Sequence, residues 1–146
     1  MPAARMIILN VIGLGTILLA GTGLWLFLMA PASHVEPARS KKSAKGIYAV
    51  AITPEAEPVP QGLLHAWVLT LNTSDGKAVE DAEIQIGGGM PDHNHGLPTS
   101  PQVTDYLGEG RYLVEGVKFT MSGWWELRFG IAAAAGVDDV VFNLVL

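Results

Sequence analysis

The chain has 146 residues, a formal charge of −5 and no cysteine, which leaves room for one domain with accessories. Without cysteine there are no disulfides, no thiolate zinc site and no blue-copper centre of the usual thiolate type. Residues 46–146 carry four basic against thirteen acidic side chains, a balance that argues against nucleic acid, whose phosphates need a basic face.

Residues 7–30 contain no charged side chain and are dominated by Ile, Leu, Val, Gly and Ala. As a helix they would span roughly 36 Å, enough for a bilayer core with some tilt. Arg5 and the Ala30-Pro31-Ala32 sequence also fit a cleaved signal peptide, but the apolar run exceeds the usual h-region of roughly 7–15 residues. The reading is one retained transmembrane helix in residues 1–31. The basic residues after it outnumber Arg5, which by the positive-inside rule alone favours a cytoplasmic C-terminus. Their distance from the helix and the whole domain that follows favour export instead. The expected localisation is therefore the inner membrane, single-pass, with the C-terminal domain in the periplasm or extracytoplasmic space.

Residues 32–62 read as a tether rich in Pro, Ala and Lys, with residues 46–52 apolar enough for a first short strand. Pro54, Pro58 and Pro60 exclude a central strand over 53–62. From Leu63 to Leu146 the pattern is all β. Residues 64–71 form a β-rich run ended by the turn signal Asn72-Thr73-Ser74-Asp75-Gly76. Residues 78–86 alternate, with Val79, Ala82, Ile84 and Ile86 against Glu80, Asp81, Glu83 and Gln85. Short extended pieces follow at 102–106, 110–114 and 117–121, then alternation at 124–131 and a closing run at 139–146. About seven short strands, with turn signals every 8–12 residues, predict an antiparallel β-sandwich. Trp67, Trp124 or Trp125, Phe129 and Phe142 are the expected bulk of its core.

The stretch Gly87-Gly88-Gly89-Met90-Pro91-Asp92-His93-Asn94-His95-Gly96 carries the clearest chemistry. His93 and His95 are spaced i, i+2, which in extended backbone places both rings on one side, as a shared metal requires. Thioether with imidazole suits Cu(I), whereas imidazole pairs with oxygen ligands suit Cu(II) or zinc. A Gly/Pro-rich connection whose His and Asn merely bond loop carbonyls is the plainer alternative. Met121 is the only other methionine beyond the first thirty residues, and it too sits beside a glycine, in Phe119-Thr120-Met121-Ser122-Gly123-Trp124-Trp125. Its plainer role is filling a core gap. His65, in a strand next to Trp67, is a further candidate ligand, although a lone strand histidine is more often structural. There is no Cys nucleophile, no G-x-S-x-G and no phosphate-cradling glycine loop leading to Lys, so no catalysis is expected.

In order, Gly89-Met90-Pro91-Asp92-His93-Asn94-His95-Gly96, Pro98-Thr99, Pro101, Gly110-Arg111-Tyr112 and Phe119-Thr120-Met121-Ser122-Gly123-Trp124-Trp125-Glu126-Leu127 resemble the YtkA-like domain family. The resemblance covers roughly residues 62–146. It implies a membrane-anchored or exported immunoglobulin-like sandwich, related in outline to FixH-type proteins of oxidase assembly and to periplasmic copper-binding sandwiches. It also implies that the Met-Pro-x-His-x-His loop and the Phe-x-Met-x-Gly-Trp segment lie close together. Two functions are then expected. One is a copper chaperone or accessory, holding a copper ion at Met90, His93, His95 and Met121 for copper handling or copper-enzyme maturation. The other is a metal-free structural or assembly subunit of an integral-membrane complex such as an oxidase. Its helix would pack on the partner through Gly13, Gly15, Gly21 and Gly23, and its sandwich would cap the exported face.

Overall fold

Alternation along the chain resolves into two antiparallel sheets in the computed structural model, which describes residues 38–146. The apolar stretch read as a membrane anchor lies outside the described residues. Sheet 1 has the order β1-β2-β3-β7-β6 and sheet 2 the order β5-β4-β8-β9. The strands are β1 (Ser40–Lys42), β2 (Tyr48–Pro54), β3 (His65–Thr73), β4 (Glu83–Met90), β5 (His95–Gly96), β6 (Gln102–Gly108), β7 (Arg111–Val117), β8 (Trp124–Ala133) and β9 (Gly136–Val145). The helical content of the described residues is one 3-10 turn, Pro91–His93.

One core joins the two sheets. Tyr48, Val50, Ile52, Trp67, Leu69, Leu71, Tyr112 and Val114 face it from sheet 1, and Trp125, Leu127, Phe129, Ile131, Val140, Phe142 and Leu144 from sheet 2. Every second residue of β8, from Trp125 to Ile131, is buried, as a strand with one wet face requires. Of the adjacent tryptophans, Trp125 is the buried one. Trp124 points to the other face, where its Nε1–H donates to Asn143 Oδ1 at 3.0 Å. Burying an indole of this size contributes roughly 4–6 kcal/mol before chain entropy is charged.

Sheet 1 takes in β1 and β2 from residues 32–62. Pro54 closes β2 opposite Trp67, beyond the residues that β1 pairs, so its missing N–H leaves no ladder bond unmade. The alternating stretch 78–86 does not form one strand. Val79 N–H still donates to Leu71 O in sheet 1 at 3.0 Å, Asp81 takes φ 52°, and β4 of sheet 2 starts at Glu83. Tyr112 Oη holds this crossing, donating to Val79 O at 2.8 Å and accepting from Ala82 N–H at 3.1 Å. The piece expected at 117–121 is likewise divided: Val117 ends β7, and Phe119 makes an isolated bridge to Gln61.

Asp138 ties the turn after β1 to β9. Burial alone would raise its pKa, but the neighbouring Ser43 hydroxyl and hydrogen bonds from the N–H groups of Lys45, Asp139 and Ile47 outweigh that and hold it at about 2.

Candidate metal centre

Gly87, Gly88 and Gly89 are not a flexible lead-in to the histidines. They are β4 itself, opposite Arg128, Leu127 and Glu126 of β8. Gly88 has φ 155° and Gly89 has φ 159°, and a Cβ would run into the Glu126 carbonyl oxygen at the first and the His95 carbonyl oxygen at the second. Only glycine lets β4 approach both neighbours so closely. The strand ends at Met90, directly opposite His95 of β5, and Gly89 faces Gly96. The connection Pro91-Asp92-His93-Asn94 is a 3-10 turn with Pro91 leading it and Asn94 closing it at φ 51°, ψ 41°. Proline pre-sets the φ its place needs, and asparagine tolerates the left-handed conformation better than most residues.

This hairpin brings the two imidazoles together. The His93 and His95 ring centroids are 6.0 Å apart. Two imidazoles sharing a metal at about 2.0–2.1 Å per nitrogen would put their centroids roughly 5–6 Å apart, a spacing that this pair matches. The His95 ring stands edge-on to the buried Trp125 at 5.6 Å, and its Nδ1–H donates to the Gly96 carbonyl at 2.9 Å. In that tautomer Nε2 presents its lone pair, and a carbonyl on the far nitrogen is the usual support for a metal-ligating histidine. Met90, only 1% exposed, lines with His95 a cleft of about 260 Å³ whose other walls are Gly88, Gly89, Pro91, Asn94, Gly96 and Arg128.

The second methionine segment is adjacent. Gly123 lies against Met90 Cε, with room there for a Cβ only at 3.0 Å. Trp125 Nε1–H donates to the Met121 carbonyl at 3.0 Å, while the Met121 side chain is 39% exposed. His65 stands elsewhere. Its ring packs on Phe119 at 5.2 Å and Trp67 at 6.3 Å, its Nδ1–H donates to Leu63 O at 3.1 Å, and the Phe119 and Trp125 rings stand between it and His95.

The donor set fits a soft ion. Among the described residues no three His, Asp or Glu side chains converge, so a hard-donor cage is absent there. What the hairpin offers is two neighbouring imidazoles, with the buried Met90 opposite His95 in the β4–β5 pair; imidazole with thioether is a donor combination that suits Cu(I). Sequence reasoning missed Arg128, which forms one wall and is ion-paired with Glu126 Oε2. Its placement follows from the β4–β8 register, in which Arg128 stands beside Gly87, and no local motif announces it.

Comparison with curated proteins and with solved structures returns no match. A family model described as YtkA-like matches residues 41–130, taking in the hairpin, the Met121 segment and most of both sheets. The chain belongs to the YtkA-like family.

Proposed function

We propose that this protein is a membrane-anchored, exported immunoglobulin-like β-sandwich that binds copper, as Cu(I), at the Met90–His95 hairpin. It acts as a chaperone or accessory in copper handling or copper-enzyme maturation and not as a catalyst. The observation that carries the reading is His95 held by Gly96 O with Nε2 free, the His93 ring 6.0 Å from it and Met90, buried, opposite it in the β4–β5 pair. Such a donor set is neutral and cysteine-free, which favours exchange of the ion with a partner over permanent storage. Met121, part-exposed and with its carbonyl bonded to Trp125 Nε1, is the fourth candidate donor. His65 is not part of this ligand set.

The test is titration of the full chain in mild detergent with Cu(I), against a chromophoric competitor. Sub-micromolar binding that disappears in the His93→Ala, His95→Ala double variant supports the site. Equal binding by the double variant moves the metal elsewhere, and no binding by the parent chain removes the copper reading altogether.

The assembly-subunit reading has one observation in its favour: Leu63 and Leu64 are 65% and 66% exposed side by side. It predicts that an integral-membrane partner co-purifies with the chain and is lost from a Leu63→Ser, Leu64→Ser variant with copper binding intact.

A further inference from the structure

β4 presents a sheet edge unlike the others among the described residues. β1 is three residues long and carries Lys41 and Lys42. β6 is broken by two register shifts. The outer edge of β9 is occupied: Ala44 N–H donates to Asp139 O at 2.8 Å, and Lys45 and Lys41 Nζ donate to Val137 O at 2.9 Å and Val141 O at 2.7 Å. Lysines, bulges and short length are the usual guards of an edge. On β4 the partner strand β5 covers only Gly89 and Met90, while the register with β8 runs unbroken from Glu83 to Gly89.

The direction of the free backbone groups follows from two bonds. Gly88 C=O accepts from Leu97 N–H at 3.1 Å, and Ala82 N–H donates to Tyr112 Oη at 3.1 Å, both on the side away from β8. In an antiparallel ladder the N–H and C=O of every second residue point the same way. Ile84 and Ile86 therefore aim theirs outward, and among the described residues no strand pairs with them there. Gly87 adds a second observation. It has neither a positive φ nor any atom within 4 Å of the place its Cβ would occupy, so nothing local requires a glycine in mid-strand.

We infer that β4 is the interface for a second copy of this chain, pairing antiparallel about Gln85. The parity of the free groups sets even-numbered residues against each other, and centring on Gln85 places Ile84 opposite Ile86, Gln85 opposite Gln85 and Glu83 opposite Gly87. Arg128 is the next residue inward from Gly87, on the same outer face. Two strand spacings separate it from the incoming Glu83, about 9–10 Å between Cα atoms; Arg128 holds Glu126 Oε2 through Nε and Nη2, and Nη1 is the donor left to meet an extended Glu83. A bare Gly87 leaves that path clear. The pairing makes two symmetry-related Glu83–Arg128 contacts and opposes no like charges across the ladder. Centring on Ile84 instead would set Glu83 against Gln85, and centring on Ile86 would drive the incoming strand into β5. Tyr106 and Leu107 of β6, each 38% exposed, belong to the strand beside β4 in the other sheet and gain cover from the second copy. The ladder stops short of Pro91, so two hairpins roughly 34 Å apart stay open, and the dimer stands whether or not they bind metal.

The test is sedimentation velocity of the full chain in mild detergent over a concentration series. A reversible monomer–dimer equilibrium is expected. Glu83→Arg and Arg128→Glu should each weaken it about tenfold, the strength of two exposed ion pairs, and the double variant should recover to within about threefold of the parent. Ile84→Pro, which removes an outward N–H and no internal ladder bond, should abolish the dimer while the melting profile stays cooperative. A monomer at every concentration overturns the inference. So does a dimer indifferent to both charge reversals, or a double variant as weak as the single ones.

Discussion

Replacing Gly88 with alanine places a methyl group against the Glu126 carbonyl oxygen, and φ 155° is a backbone conformation that L residues rarely adopt. The backbone strain costs about 1–3 kcal/mol, and the β4–β8 ladder must open locally, losing on the order of two hydrogen bonds at about 1 kcal/mol each. The sum is roughly 3–5 kcal/mol. For a domain of about a hundred residues each kcal/mol moves Tm by roughly 4–8 °C, so Tm should fall by about 12–40 °C. Gly87→Ala is the control. Its Cβ meets nothing within 4 Å, so the change should be neutral or stabilising by about 0.5–1 kcal/mol, a rise of a few degrees. Thermal unfolding followed by circular dichroism reads both variants. Equal tolerance at the two positions would refute the description of the glycine run as a close-packed strand, and with it the rigid base of the hairpin.

Gly89→Ala should resemble Gly88→Ala in stability and also lower Cu(I) affinity, because the obstructing oxygen belongs to His95, as competitor titration will read. Asn94→Ala should cost about 1 kcal/mol in thermal unfolding through its left-handed φ of 51°, with Asn94→Gly close to the parent. The Asp138 carboxyl, at about 2 in the fold against an ordinary 3.8, stabilises the protein above about pH 4, and that contribution is lost as pH falls through about 2. Melting curves of the parent and Asp138→Asn should therefore differ most at neutral pH and converge towards pH 2. Curves that run parallel over that range would remove the role given to Asp138.

Much of the sheet pattern was legible in the sequence because a strand with one wet face must alternate, as residues 124–131 do. The failures have physical causes. Residues 78–86 alternate as well as any strand, yet the chain changes sheets at Asp81, where a side chain–backbone bond from Tyr112, thirty residues on, decides the path. Glycine and proline punctuate loops in general, so Gly87–Gly89 reads as a hinge until the positions of Glu126 and His95 show why a strand there excludes side chains. The i, i+2 spacing of His93 and His95 presupposes extended backbone, whereas a 3-10 turn and the left-handed Asn94 join them and leave their rings 6.0 Å apart. Nothing local distinguishes Trp125 from Trp124; the register of β8 sends one into the core and one to Asn143. The wall formed by Arg128 is equally non-local.

The most direct measurement of the copper site is X-ray absorption at the copper edge of the Cu(I)-loaded full chain. Two imidazole nitrogens with at least one sulfur are expected around the copper, the sulfur contribution falling in Met90→Leu and the imidazole scattering in His95→Ala. A shell of nitrogen and oxygen alone, unchanged by either substitution, would contradict the site.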